Sequence, residues 1–416
     1  MGKTKFYKSL LVISLFFGVV IGLLGFNLLH KKDKGLDVNT YSEIKDLEGR
    51  HLTSFKDLSD YFQDLANKKG ARHAFEVLRL APLSPNIDMH LLGHAVGDIL
   101  YKQEGLNGIK ICNNDFRNAC SHSIVTGLFF NKGEAALPEI AEACRQAPGG
   151  SGAYTMCFHG LGHGILAAVG YDMAKAAADC NKTGTANYNY NEAPQCIGGM
   201  VMEIIGGGGH NRDLWAAQRK KYLKKENPLG LCSNSFISDQ AHFMCYIYIT
   251  PYLFEAVEAN RGSPTADDFK KSFPLCNKIN INDKADRDAC YGGFGKEFVG
   301  LVQSRDIRQS TIENISNEQL IQIYEWCKLA DNKEGAASCI ISAANSLYWG
   351  GENNPGAAIR YCGLIADTYF QTSCYLNLIG AAAFYIKNPD YLESFCKQLP
   401  SSYLNDCRLR TTKNNQ

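Results

Sequence analysis

Along most of this chain apolar residues come in pairs four places apart: Leu92/Val96, Ile124/Leu128, Leu161/Ile165, Met200/Ile204, Ile249/Leu253, Phe294/Phe298, Ala343/Leu347 and Leu378/Ala382. Residues four apart share one face of a helix, so each pair predicts an amphipathic helix with a buried stripe. The stretches between them, such as "APGGSG" at 147–152 and "NKTGTANYNYNEAP" at 181–194, are rich in glycine, asparagine and proline and read as loops. The pairs also share a register. In seven of them a cysteine stands four places before the first member, and in the eighth that place belongs to Asp88. Sixteen apolar residues at sixteen specified places, in a chain that is 45% hydrophobic, mark a true repeat.

The cysteines complete the unit. All sixteen fall into couplets: Cys112/Cys120, Cys144/Cys157, Cys180/Cys196, Cys232/Cys245, Cys276/Cys290, Cys327/Cys339, Cys362/Cys374 and Cys396/Cys407. The first member often closes a helical stretch, as in "PEIAEAC", "DMAKAAADC", "NEQLIQIYEWC" and "NPDYLESFC", and the second is expected to open the next. Pairing within couplets is expected because short loops close most easily, although spacing alone does not fix connectivity. The spacing lacks a Cys-x-x-Cys pair and suits disulfides better than zinc thiolates. The predicted fold is therefore all-α, an αα-repeat solenoid over residues 70–410 stapled by up to eight disulfides, with a short tail at 411–416.

Before the repeats, Ser9 to Leu29 form an almost unbroken apolar stretch, about the ~20 residues a helix needs to cross a bilayer. No small-residue cleavage signal follows it before Lys31, so an uncleaved signal anchor is expected behind a cytoplasmic tail at 1–8. Lysines flank both ends and leave orientation open; the cysteines place the remainder outside the cytoplasm, in a periplasm or at a cell surface, because paired thiols belong to oxidising compartments. Residues 30–69 are read as a linker and an N-terminal capping helix, with Phe55, Leu58, Phe62 and Leu65 at helical spacing. The formal net charge of +1 argues against nucleic acid as a partner. The basic run Arg219, Lys220, Lys221, Lys224 and Lys225 reads as a solvated helix face.

With the second cysteine of each couplet as position zero, positions two and six form a ridge on the face opposite the apolar stripe. His90 and His94 occupy it in the first unit, His122 and Thr126 in the second, His159 and His163 in the third. Later units put Gly198/Met202, Ile247/Pro251, Gly292/Lys296, Ile341/Asn345 and Leu376/Gly380 there, so the repeat itself does not demand histidine. Histidines four apart on a helix can grip a transition metal such as zinc, copper or iron. Packed helices lie ~8–10 Å apart, which leaves units one and three too distant for one ligand shell unless the superhelix is tightly curved. The expected sets are His122 with His159 and His163, or His90 and His94 with His122; two sites also fit. Asp98, Glu134, Glu203 and Glu297 are the carboxylates nearest the ridge in sequence, and Tyr101 and Tyr171 the hydroxyls. Neither a His-Glu-x-x-His pair, a haem-attachment motif, a nucleophile elbow nor a P-loop occurs. Gly93, Gly160, Gly162 and Gly164 crowd the same helices at a cost of roughly 1 kcal/mol each, which asks for close helix contact or room for a ligand.

The segment "CFHGLGHGILAAVGYDMAKAAADC" at 157–180 resembles the cysteine-rich Sel1-like repeat proteins, whose units run from a cysteine through small residues and a glycine or aromatic turn to a Lys-Ala-rich helix ending in cysteine. The resemblance covers residues 70–410 in architecture. It implies a secreted αα-superhelix that binds proteins or peptides. Two functions follow as expectations: a membrane-anchored binding or scaffold protein with a metal-binding ridge, or a metal-dependent hydrolase or oxidase built on the same histidines.

Overall fold

In the computed structural model the described residues are 38–50, 52, 54–83, 89–112, 115–148, 150–183, 191–207, 211–260, 262–306, 309–350, 355–386 and 388–413. The apolar stretch at 9–29 lies outside them, and among the described residues no helix is long and apolar enough to cross a membrane. The chain divides into two compact units, residues 1–51 and 52–416. The first contributes one described helix, α1 (Val38–Arg50), within the segment read as linker.

The second unit is built from α-helices and short 3-10 turns, with no strand among its described residues. It opens with α2 (Phe55–Lys69), capped by the Ser54 hydroxyl, whose Leu58, Phe62 and Leu65 are buried as their spacing predicts. After α3 (Ala71–Leu80) come α4 (Met89–Glu104), α5 (Asp115–Lys132), α6 (Leu137–Arg145), α7 (Gly150–Ala168), α8 (Met173–Asn181) and α9 (Glu192–Gly206). Beyond α10 (Arg212–Tyr222) and α11 (His242–Tyr248) lie α12 (Thr250–Ala256), α13 (Ala266–Ser272) and α14 (Lys284–Leu301). The remaining helices are α15 (Gln309–Glu313), α16 (Asn317–Cys327), α17 (Lys333–Gly350), α18 (Gly356–Leu364), α19 (Thr368–Tyr385), α20 (Pro389–Gln398) and α21 (Ser401–Lys413).

The apolar frame proves to be the core. All sixteen paired positions are buried, none more than 3% exposed. The helices of successive units pack in chain order, α4 on α5, α5 on α7, α7 on α9, α9 on α11, α11 on α14, α14 on α17 and α17 on α19, with Ile249 linking α11 to α12, which carries Leu253.

Every cysteine joins the partner in its own couplet, which settles the connectivity that spacing left open. The bonds are Cys112–Cys120, Cys144–Cys157, Cys180–Cys196, Cys232–Cys245, Cys276–Cys290, Cys327–Cys339, Cys362–Cys374 and Cys396–Cys407. All sixteen residues are buried. Each staple closes a loop of 8 to 16 residues, which in the chain-entropy account stabilises by ~2–4 kcal/mol.

One expectation about these cysteines is corrected, because the second member of a couplet does not open its helix. Cys157, Cys290, Cys339, Cys374 and Cys407 sit more than a turn inside α7, α14, α17, α19 and α21. Cys120, Cys196 and Cys245 likewise follow the first residues of α5, α9 and α11 rather than starting them. The reason is geometric. A disulfide holds its two Cα atoms close, here 5.3 to 5.7 Å apart. The second cysteine must therefore stand beside the end of the preceding segment, and the chain regains helical form before it arrives there.

The glycines have a stereochemical cause. A Cβ on Gly162 would lie 1.9 Å from the Cys196 carbonyl oxygen, and one on Gly199 would lie 1.8 Å from the His159 carbonyl oxygen. The backbones of α7 and α9 are therefore in reciprocal contact, and any side chain at these places would force them apart.

Candidate metal centre

The ridge curls inward. Position six of six successive units, His94, Thr126, His163, Met202, Pro251 and Lys296, lines a single cavity of about 270 Å³. Units one and three approach more closely than a row of packed helices predicts, although among the described residues no set of three ligand atoms within 4.8 Å joins them. The rings of His90 and His94 lie 6.0 and 5.7 Å from that of His163, close to the 5.5 to 5.9 Å separating neighbouring units.

The hydrogen-bond network assigns the tautomers of the first pair. His90 Nδ1 lies 2.6 Å from the Phe116 carbonyl oxygen, which can only accept, so Nδ1 carries the proton. The Ser123 hydroxyl donates to the His94 carbonyl at 3.0 Å, and its oxygen accepts from His94 Nδ1 at 3.1 Å. The two Nε2 atoms lie 3.3 Å apart. Two nitrogens held ~2.0–2.1 Å from one ion at a tetrahedral angle lie about 3.3–3.4 Å apart. His122 completes this set: a ligand atom from each of His90, His94 and His122 lies within 4.8 Å of the others. Of the two sets expected from sequence, this is the one brought together.

His122 is fully buried, and neither of its ring nitrogens has a hydrogen-bond partner. Its ring rests on Gly160, where a Cβ would come within 2.3 Å of it. His159 and His163 are also buried, and His159 Nδ1 and His163 Nε2 likewise lack partners. An unsatisfied buried polar atom costs ~1–3 kcal/mol, so four in one cluster, three lone pairs and the N–H of neutral His122, describe a site short of partners. Burial first, then the neighbouring imidazoles, push the His122 and His159 rings well below the ordinary histidine range, which keeps them neutral and able to ligate.

Around the histidines stands a second layer. Glu203 Oε2 lies 3.1 Å from His163 Nδ1, and its other oxygen accepts from the Tyr171 hydroxyl at 3.2 Å. A carboxylate on Nδ1 fixes the tautomer that presents Nε2, the usual support of a metal-bound imidazole. Burial and then Glu203 raise the Tyr171 phenol, so it stays a donor. Across the cavity Lys296 Nζ pairs with Glu297 at 2.6 Å and sits over the Tyr248 ring, while Arg305 reaches Glu297 at 3.5 Å. Burial works to raise the Glu297 carboxyl, but Lys296 and Arg305 outweigh it and hold it at about 2. Burial also lowers the Lys296 ammonium.

The remaining sequence candidates divide. Asp98 lines the cavity. Glu134 is instead an exposed partner of Lys182, and Tyr101 bonds Asn131 at the surface. Arg117 gave no sequence signal, yet it lines the cavity from a run of three left-handed residues, Phe116, Arg117 and Asn118. Such a run costs roughly 1–2 kcal/mol per residue. It presents the Phe116 carbonyl to His90, so the strain sits where the site is oriented. Lys296 was visible only as an occupant of position six. Compared with protein-family models, curated proteins and solved structures, the chain matches none.

Proposed function

We propose that this protein binds a transition metal through His90, His94 and His122 at the wall of its internal cavity. The single observation that carries the reading is the facing Nε2 pair of His90 and His94 at 3.3 Å, with His122 close enough to complete a three-histidine set. Imidazole ligands suit zinc, copper or iron. The successive packing of units, and the resemblance to cysteine-rich Sel1-like repeats, support a tightly wound αα superhelix. Eight disulfides support an extracytoplasmic location, and the apolar stretch at 9–29 supports a single membrane anchor.

The cavity favours small-molecule chemistry over a pure scaffold. Three protein ligands leave a coordination position for water or substrate, the arrangement of catalytic metals, whereas structural sites are closed. Glu203, Lys296 and Glu297 supply charged groups within the same cavity. A metal-dependent hydrolase or oxidase is thus the catalytic form of the reading. Recruitment of a protein or peptide partner is the alternative and predicts activity indifferent to chelators.

Elemental analysis of the purified chain, beside a His90→Ala/His94→Ala variant, tests the metal. Stoichiometric metal in the parent and its loss in a folded variant are expected. A folded parent that takes up no metal on reconstitution overturns the reading.

A further inference from the structure

His122 neighbours two like pairs. Its ring centroid is 5.5 Å from those of both His90 and His94 and 5.7 and 5.9 Å from those of His159 and His163, while His163 also lies 6.0 and 5.7 Å from His90 and His94. Each pair is spaced four apart on its own helix, α4 or α7. We propose that the centre is dinuclear, with His122 bridging two transition-metal ions, one held by His90 and His94 and the other by His159 and His163.

The observation that distinguishes this from a single ion is that both nitrogens of His122 are buried and partnerless. A neutral imidazole always carries one N–H, and in a dry core that donor needs an acceptor. A single ion would satisfy one nitrogen and leave the other stranded; two ions satisfy both. As the second ion binds, the remaining N–H proton leaves to solvent and the ring bridges as imidazolate. The second pair is equipped for its part. His159 Nδ1 and His163 Nε2 are the unpartnered atoms there, while His163 Nδ1 is engaged by Glu203 and the His159 ring also bonds the Gln195 backbone.

The two shells are unequal. Among the described residues only the His90, His94 and His122 atoms lie mutually within 4.8 Å, so the second shell closes by a turn of the His159 or His163 ring. Binding is therefore expected in two steps, the His90/His94 ion first and tighter.

This inference rests on the metal reading above, and a copper titration of the full chain, purified in detergent with its disulfides intact, separates the two. Two Cu(II) per chain after gel filtration are expected, with the integrated electron paramagnetic resonance signal growing up to the first equivalent and falling with the second as the bridged ions couple. His159→Ala/His163→Ala should bind one ion with an uncoupled signal. His163→Gln, which preserves volume, should do the same if the double variant fails to fold. One ion in the parent overturns the bridge and leaves the proposed function standing; none overturns both. Two uncoupled ions, or two retained in either variant, overturn the bridge.

Discussion

The first half of the repeat array and the second use glycine in the same way and the ridge in different ways. In α7, Gly160 at position three receives the position-two residue of the preceding unit, His122, and Gly162 at position five meets the Cys196 carbonyl of the following unit. In α14, a Cβ on Gly293 at position three would meet the Ile247 carbonyl and the Thr250 hydroxyl, and one on Gly295 at position five would lie 1.9 Å from the Cys339 carbonyl oxygen. The close approach thus recurs in both halves. The histidines do not, because the same seat on Gly293 takes the backbone of an isoleucine. The second half contributes Lys296 and Glu297 to the shared cavity instead, an ion pair facing an imidazole cluster. Architecture and chemistry are written at different positions of one repeat.

Glycine substitution probes the shared part. Gly162→Ala and Gly295→Ala each drive a methyl into a backbone oxygen that cannot rotate away, so both should cost more than the ~1–3 kcal/mol of ordinary overpacking. Thermal melts should show comparable, large losses in the two variants; a neutral result in either would break the equivalence.

The ion pair is the next largest effect. The Glu297 carboxyl is depressed from an ordinary 4.5 to about 2. Its stabilisation is therefore complete above the unfolded value and is lost as pH falls through the folded one, between about pH 4.5 and 2. A shift of that size corresponds to an order of ~3 kcal/mol. Glu297→Gln should flatten the acid limb of a denaturant-midpoint profile across that window while leaving metal content intact. An unchanged acid limb would remove Glu297 from the account.

On the histidine side, Glu203→Gln leaves the fold but withdraws the carboxylate from His163. Removing such a support typically lowers metal affinity about 10–100-fold, a loss that competition with a chelator would read. The effect should fall on the His159/His163 ion and spare the His90/His94 ion. Glu134→Gln marks the bottom of the scale. Although adjacent to the His122 helix in sequence, Glu134 bonds Lys182 at the surface, so neither metal content nor melting temperature should move.

Much of this site was legible before the fold was known. The side chains at positions two and six share a helix face by local geometry alone, and couplets 8 to 16 residues apart pair with themselves because loop closure favours it. The place of Cys120, Cys157, Cys245 and Cys407 inside their helices was not legible, because it depends on how the preceding segment docks beside them. Glu203 was within reach of the same reasoning as the ridge, one place beyond it at position seven. Arg117 was not, since nothing in "NNDFRN" marks three consecutive left-handed residues.

The sequence by itself determined the helical repeat, its buried face, the cysteine couplets and the row of imidazoles, because each depends on spacing within one or two helices. Tertiary structure decided that the row closes on itself. The packing that brings His163 within 6.0 Å of His90 joins units that are not neighbours in the chain, and Gly160 lets His122 lie against the helix that carries His163. Tertiary structure also decided which carboxylate serves the histidines and that Lys296, far along the chain, faces them across one cavity. Local periodicity carries no information on that packing, so the ring of position-six residues emerges only when the units are stacked.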